Sequence, residues 1–391
     1  MKIKKVGEVA EVNPRLLAGA KPDSDDLISF VPMAAVSEVT LSIEKPVDRP
    51  YSEVAKGFTS FRRGDILIAK ITPCFENGKM AYTQNLPRDL GFGSTEFHVL
   101  RPKENLEGAY LFHLLRAPLV RRSGKMKMKG AAGQRRVPAD FFANLQIPLP
   151  PLVEQKRIAK ILDATDALRA KRREGLAQLD ILLQSTFLDM FGDPVTNPMG
   201  WNVTLVEDEV HFLTSGSRGW AKYYADSGDV FIRIQNLKNG NLDLSDIAYV
   251  NAPESAEAKR TKVEPGDVLL SITADLGRTA VVPNDIGKAH INQHLAILRF
   301  KELNPVFVSY QLASHGGQSQ FVRLNREGVK AGLNFNDVKM IQLTKPPLTL
   351  QTCFASIVKS IEQQKARMQA HLAELDTLFA ALQQRAFNGD L

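Results

Sequence analysis

The stretch Ile147 to Asp193, IPLPPLVEQKRIAKILDATDALRAKRREGLAQLDILLQSTFLDMFGD, decides how this chain is laid out, because it occurs twice. The second copy, Leu343 to Asp390, reads LTKPPLTLQTCFASIVKSIEQQKARMQAHLAELDTLFAALQQRAFNGD and lies 196 positions downstream, without a gap up to Leu378. Pro150-Pro151-Leu152 recurs as Pro346-Pro347-Leu348, Gln155 as Gln351, and Leu176-Ala177-Gln178-Leu179-Asp180 as Leu372-Ala373-Glu374-Leu375-Asp376. Two prolines end an extended run, and apolar residues then recur at three- and four-residue steps, which predicts a long helix each time. A repeat of this length divides the chain into two similar halves.

The apolar positions of the first helix are Ile158, Ile161, Leu162, Leu168, Leu176, Leu179 and Leu183. The second offers Phe354, Ile357, Val358, Ile361, Leu372, Leu375 and Phe379. Each set forms a narrow seam suited to pairing. Two antiparallel helices of about 35 residues, on the order of 50 Å long, would make a coiled-coil spacer with a pseudo-twofold axis and a globular domain at either end. The competing expectation is that each helix packs on its own domain.

Residues 1–149 read as an α/β domain of short strands, among them the β-branched run Asp65 to Ile71 opened by a Gly64-Asp65 turn, and the alternating Phe97 to Arg101. Leu106 to Val120 predicts a short helix that Pro118 breaks. The second half replays this order: Val263 to Thr273 resembles Phe61 to Thr72 with one residue deleted, and Leu295 to Arg299 resembles Phe97 to Arg101. The expected organisation is therefore a mixed α/β domain 1–149, helix 150–193, a second α/β domain 194–345 and helix 346–391. The scaffold persists between copies while the loops differ, KITPCFEN from Lys70 against SITADL from Ser271.

The formal net charge of +7 and pI near 9.2 point to a polyanionic partner if the charge is clustered. It is clustered: Gly108 to Ala139 holds Arg116, Arg121, Arg122, Lys125, Lys127, Lys129, Arg135 and Arg136 and no acidic residue. With Gln134, and with Lys70, Thr72 and Lys79 on the preceding loop, these are candidate DNA contacts, cations for phosphates and Arg or Gln for base edges. In the second half the candidates are Arg218, Trp220 and Lys222, then Arg233, Gln235 and Asn236. Thr273 and Arg278 follow, with Asn292, Gln293 and His294, and finally Arg326, Lys330 and Asn334.

No catalytic or metal-binding motif is evident. The Gly-Lys pairs at Gly78, Gly124 and Gly287 are not followed by Ser or Thr, so there is no Walker A loop, and Gly91-Phe92-Gly93 lacks the strand and helix a nucleotide site needs. His290 and His294 sit on an expected strand, where i, i+4 spacing does not bring two imidazoles to one metal. Cys74 and Cys353 form neither a disulfide framework nor a zinc site. The N-terminus has no apolar h-region and no stretch approaches a membrane span, so a cytoplasmic protein is expected.

The twice-occurring Pro-Pro-Leu-x-x-Gln helix start, each after a domain with a Gly-Asp-(Ile/Val)-Leu strand (Gly64 to Leu67, Gly266 to Leu269), resembles the specificity subunit of Type I restriction-modification systems. The first copy is the fuller match; the second has Leu350 for Glu154 and Thr352-Cys353 for Lys156-Arg157. The resemblance implies two target recognition domains, each reading one half of a bipartite asymmetric site in double-stranded DNA, separated by spacer helices. It also implies two methyltransferase subunits docked on the helices and restriction subunits that join them. S-adenosylmethionine, ATP and magnesium would belong to those partners, and this chain would hold no cofactor. A stand-alone two-domain DNA-binding regulator is the competing reading.

Overall fold

The structure is a computed structural model that describes residues 2–16, 21–131, 133–238, 240–325 and 332–391. The chain divides into two compact units, 1–174 with 369–391, and 175–368.

In the first unit the fully buried strand Ile66–Ala69 lies inside an antiparallel sheet ordered Ala10–Val12, Phe97–Pro102, Ile66–Ala69, Met80–Tyr82. A second sheet runs Val47–Pro50, Leu27–Val31, Leu90–Gly93, Thr59–Arg62, with Leu27–Val31 parallel to Leu90–Gly93. The strand Lys2–Lys5 pairs with Gln146–Leu149, just ahead of the long helix. The second unit repeats this plan. Val268–Ser271 is central in the order Val210–Ser215, Leu295–Phe300, Val268–Ser271, Thr279–Val281. Its other four-stranded sheet again holds one parallel pair, Asp229–Ile232 with Ala289–Ile291, and Asn202–Leu205 pairs with Gln342–Lys345.

The Gly-Asp motif has a physical cause in both copies. Gly64 and Gly266 turn the chain at φ +87° and +86°, a region where a Cβ is strained. The next residue, Asp65 or Asp267, is buried and ties two strands together. Asp65 accepts from the Arg62 backbone N–H at 2.7 Å and from Arg101 at 2.8 and 2.7 Å. Asp267 accepts from the Glu264 N–H at 2.6 Å and from Arg299 at 2.7 and 3.0 Å. Such bidentate, charge-assisted pairs hold a buried carboxylate that would otherwise be costly.

Backbone register removes the expected deletion. The Lys70 N–H donates to the Glu96 carbonyl and its own carbonyl accepts from Val137; Ile272 makes the same two bonds with His294 and Leu333. Lys70 and Ile272 are thus equivalent, and the copies diverge from the end of the strand without losing a residue. The helix expected over Leu106 to Val120 is two helices, Gly108–Leu115 and Pro118–Lys127. Pro118 opens the second, since the first turn needs no N–H from it.

The long helices span Leu152–Phe191 and Leu348–Asn388, 40 and 41 residues, longer than expected and on the order of 60 Å each. Each ends on a left-handed glycine, Gly192 at φ +74° and Gly389 at φ +88°, whose N–H returns to Leu188 or Arg385. Each starts on the repeated glutamine. Buried Gln155 accepts from the Glu107 N–H at 2.8 Å and donates to the Pro150 carbonyl at 2.9 Å and the Asn105 carbonyl at 3.1 Å. Gln351 accepts from the Asn304 N–H at 2.8 Å and donates to the Pro346 carbonyl at 2.8 Å.

The seam is not buried evenly. In the first unit Ile158 and Leu162 join Phe379 inside the domain core, and in the second Leu183 joins Phe354, Val358 and Ile361, with Leu179 and Ile357 at its edge. Ile161, Leu176, Leu372 and Leu375 are only partly buried, and Leu168 is 55% exposed. Each globular core therefore takes in one end of each helix, combining the two expectations of helix pairing and local docking. Polar contacts serve the rest: Arg169 and Arg173 reach Asp376 at 2.5 and 3.2 Å in the first unit, and Lys365 reaches Asp180 at 2.7 Å in the second.

Candidate nucleic-acid interface

In the first unit the strand Ile66–Ala69 runs into a loop, 70–79, that returns at Met80. The helix Pro118–Lys127 lies on this loop because Gly124 is buried there; a Cβ on Gly124 would enter the Phe75 ring. Arg121 covers Gly78, its Nη1 2.6 Å from where a Cβ would stand, and Lys125 pairs with Glu76 at 2.9 Å. The chain then forms a narrow hairpin in which Lys129 and Arg136 exchange backbone bonds of 2.9 and 2.8 Å. The hairpin docks on the same loop: Ile71 bridges to Arg136, and Thr72 donates through its N–H and hydroxyl to the Arg135 carbonyl at 2.9 and 3.2 Å. Lys70, Thr72 and Lys79, the basic helix and Gln134 to Arg136 thus form one continuous face.

Sequence shows eight cations without a counter-charge; folding supplies some from elsewhere. Arg116 is partly buried beside Asp166 of the long helix, over the Phe379 ring at 4.7 Å, and serves the helix junction. Lys125 is held by Glu76, Arg136 by Glu96 at 2.8 Å, and Arg135 by the Met128 carbonyl at 2.9 Å. The Lys79 ammonium reaches the Met33 carbonyl at 3.3 Å. Arg121, Arg122, Lys127 and Lys129 are exposed and make no ion pair among the described residues. These four can meet an external anion without breaking an internal contact. Glu96 and Glu76 had no signature in the sequence. The Arg136 guanidinium bonded to Glu96 holds that carboxyl below the usual carboxylate range.

The second unit builds the corresponding face with different chemistry. Asn292, Gln293 and His294 precede the strand Leu295–Phe300, and Ser217 bridges to Asn292, which brings the Arg218 loop beside them. Thr273 bridges to Gly332 and its hydroxyl meets His294 Nδ1 at 2.6 Å, while the Gln293 amide nitrogen meets His294 Nε2 at 3.0 Å. Asn292 Oδ1 accepts from the His294 N–H at 3.1 Å. Arg218 and Lys222 are exposed, Lys222 over the Tyr223 ring at 4.9 Å, and Arg278 pairs with Asp275.

Other candidates are engaged in holding the fold. Trp220 is buried against Phe231 and His290, its indole N–H donating to Ser217 at 3.2 Å. Asn236 is buried, accepting from the Arg233 N–H and donating to the Asp243 and Asp246 carbonyls, each at 2.9 Å. Arg233 and Gln235 both reach Asp246, at 3.2 and 2.6 Å. Asn334 caps the helix Phe335–Lys339, accepting from the Asp337 N–H at 3.0 Å. Arg326 and Lys330 lie outside the described residues. Among the described residues no helix is long and apolar enough to cross a membrane.

Comparison with known proteins gives this face a context. Residues 1–178 match the family model described as the Type I restriction modification DNA specificity domain. The Type I restriction enzyme EcoAI specificity subunit of Escherichia coli is 43% identical over 151 residues, 38% of this chain and 25% of that protein. The EcoEI specificity subunit of Escherichia coli is 38% identical over 180 residues, 45% of this chain and 29% of that protein. The alignments thus span between a quarter and a third of these two relatives. A solved chain from a study of complex assembly and conformational transition of the type I R-M system covers 100% of this chain and 98% of its own length, with a TM-score of 0.60 and 21% identity, a likeness of fold. The matched region holds the first copy of the helix start, the first Gly-Asp strand and the basic face together, and over residues 1–178 the chain is similar to the DNA specificity domain of Type I restriction-modification systems.

Proposed function

We propose that this chain reads DNA sequence for a Type I restriction-modification complex, each unit reading one half of a bipartite asymmetric site. The observation that carries the reading is the contrast between framework and loops. The two units share sheet order, the buried Asp-Arg tie and the helix-start glutamine. They differ at matched positions on one face, with Lys70, Glu96 and Arg136 against Ile272, His294 and Gly332. A duplicated scaffold with different donor and acceptor groups at equivalent points suits recognition of two different half sites.

The long helices set the number of unspecified base pairs between the halves and dock two methyltransferase subunits, which restriction subunits then join. Methyl transfer and cleavage, with S-adenosylmethionine, ATP and magnesium, belong to those partners in the cytoplasm, and this chain supplies address and spacing. Methylome sequencing of a host carrying the chain with its cognate methyltransferase is expected to return one motif with two specified halves. Methyl transfer by the purified chain alone from labelled S-adenosylmethionine would refute the division of labour.

A further inference from the structure

The hairpin closed by the Lys129–Arg136 bridge sorts its described polar side chains into two kinds. Arg136 places Nε and Nη2 on the Glu96 carboxylate at 3.0 and 2.8 Å, and Nη1 on the Gln134 carbonyl at 3.2 Å. Arg135 donates to the Met128 carbonyl at 2.9 Å. Arg136 is thus engaged through all three of its nitrogens, and Arg135 is tethered to the backbone through one Nη. Gln134 is different. Its backbone is held twice, by its N–H on the Ala131 carbonyl at 3.1 Å and by the Arg136 bond to its carbonyl. Its carboxamide is exposed and makes no hydrogen bond among the described residues.

We propose that Gln134 is the specificity-determining residue of the first unit, and that the Glu96–Arg136 pair is the brace that positions it. This inference rests on the DNA-reading function proposed above. A carboxamide carries a donor and an acceptor side by side, the pattern that matches N7 and N6 of adenine in the major groove. The neighbouring Arg121, Arg122, Lys127 and Lys129 are suited to phosphates, which fix register without carrying sequence. A braced backbone reduces the ordering cost of presenting a flexible side chain. Glu96 acts through Arg136 and is a positioning residue.

The test uses the full chain bound to its cognate methyltransferase subunits and a duplex library randomised in both half sites. Gln134→Ala is expected to lower preference at a single A·T pair of one half by about tenfold or more, with the other half and non-specific affinity unchanged. Glu96→Ala is expected to weaken preference at that same pair without moving the thermal midpoint by more than a degree or two, a surface-pair effect, and Glu96→Asp restores it. Unchanged base preference in Gln134→Ala, with a bipartite preference in the parent chain, overturns this inference alone. Loss at every position together in Glu96→Ala overturns the brace. A parent chain without bipartite preference overturns the inference and the proposed function together.

Discussion

The repeated glutamines show how one side chain joins a strand-rich domain to a helix. Gln155 meets a backbone N–H and two carbonyls that its neighbours leave unpaired, and a buried backbone group without a partner costs about 1–3 kcal/mol. Gln155→Ala is expected to destabilise the first unit by that amount, and Gln351→Ala the second; denaturant midpoints equal to the parent's would remove the role. Two buried histidines set a pH response. Burial holds His98 below its ordinary value despite its bond to the Val137 carbonyl, and burial does the same to His290 despite Asp229. Both are therefore neutral in the fold and protonate more readily when unfolded, at about pH 6.5. The unfolded state binds more protons below that pH, so the stability they contribute is present above it and is lost as pH falls. Melting at pH 7.5 and 5.5 is expected to show this loss, and His98→Asn to show a smaller one. The repeat of Gln155 is visible in sequence, but its partners Asn105 and Glu107 lie about fifty residues away and only the fold brings them close.

At the scale of elements, the helix Pro118–Lys127 separates cations by what surrounds them. Arg122 is unpaired among the described residues and Lys125 is held by Glu76. If Arg122 meets one phosphate, Arg122→Ala is expected to reduce the slope of log K against log salt for non-specific duplex by about 0.9. Lys125→Ala is expected to change it less, because that ammonium already has a counter-charge. Equal slopes for both variants would contradict the sorting of charges. The basic run was legible in the sequence; its division was not, since Glu76 and Glu96 come from other parts of the chain. The long helices teach the same lesson. Their period predicted the apolar face, yet burial gathers at Ile158, Leu162, Leu183, Phe354 and Phe379, where a sheet-bearing domain covers it, and leaves Leu168 largely in water.

Across the whole molecule, each long helix contributes residues to both units, 152–174 and 175–191 of the first, 348–368 and 369–388 of the second. On the function proposed above, helix length is the variable that sets the distance between half sites. Inserting four residues after Leu176 and four after Leu372 adds about 6 Å of rise to each helix. The expected methylome keeps both half sites and lengthens the unspecified spacer; changed bases inside either half would refute the ruler.

The duplication, the two helices with their proline starts, and the strands that open on Gly-Asp are all legible in the sequence, because they depend on local backbone preference and short-range periodicity. Which polar groups remain free depends instead on contacts between distant parts of the chain. Arg136 meets Glu96 across 40 residues and Arg116 meets Asp166 across 50, and such pairing follows from the docking of a hairpin and a helix on distant strands. Charge and hydrogen-bond capacity are written in the sequence, but their availability is what remains after folding has satisfied the buried groups.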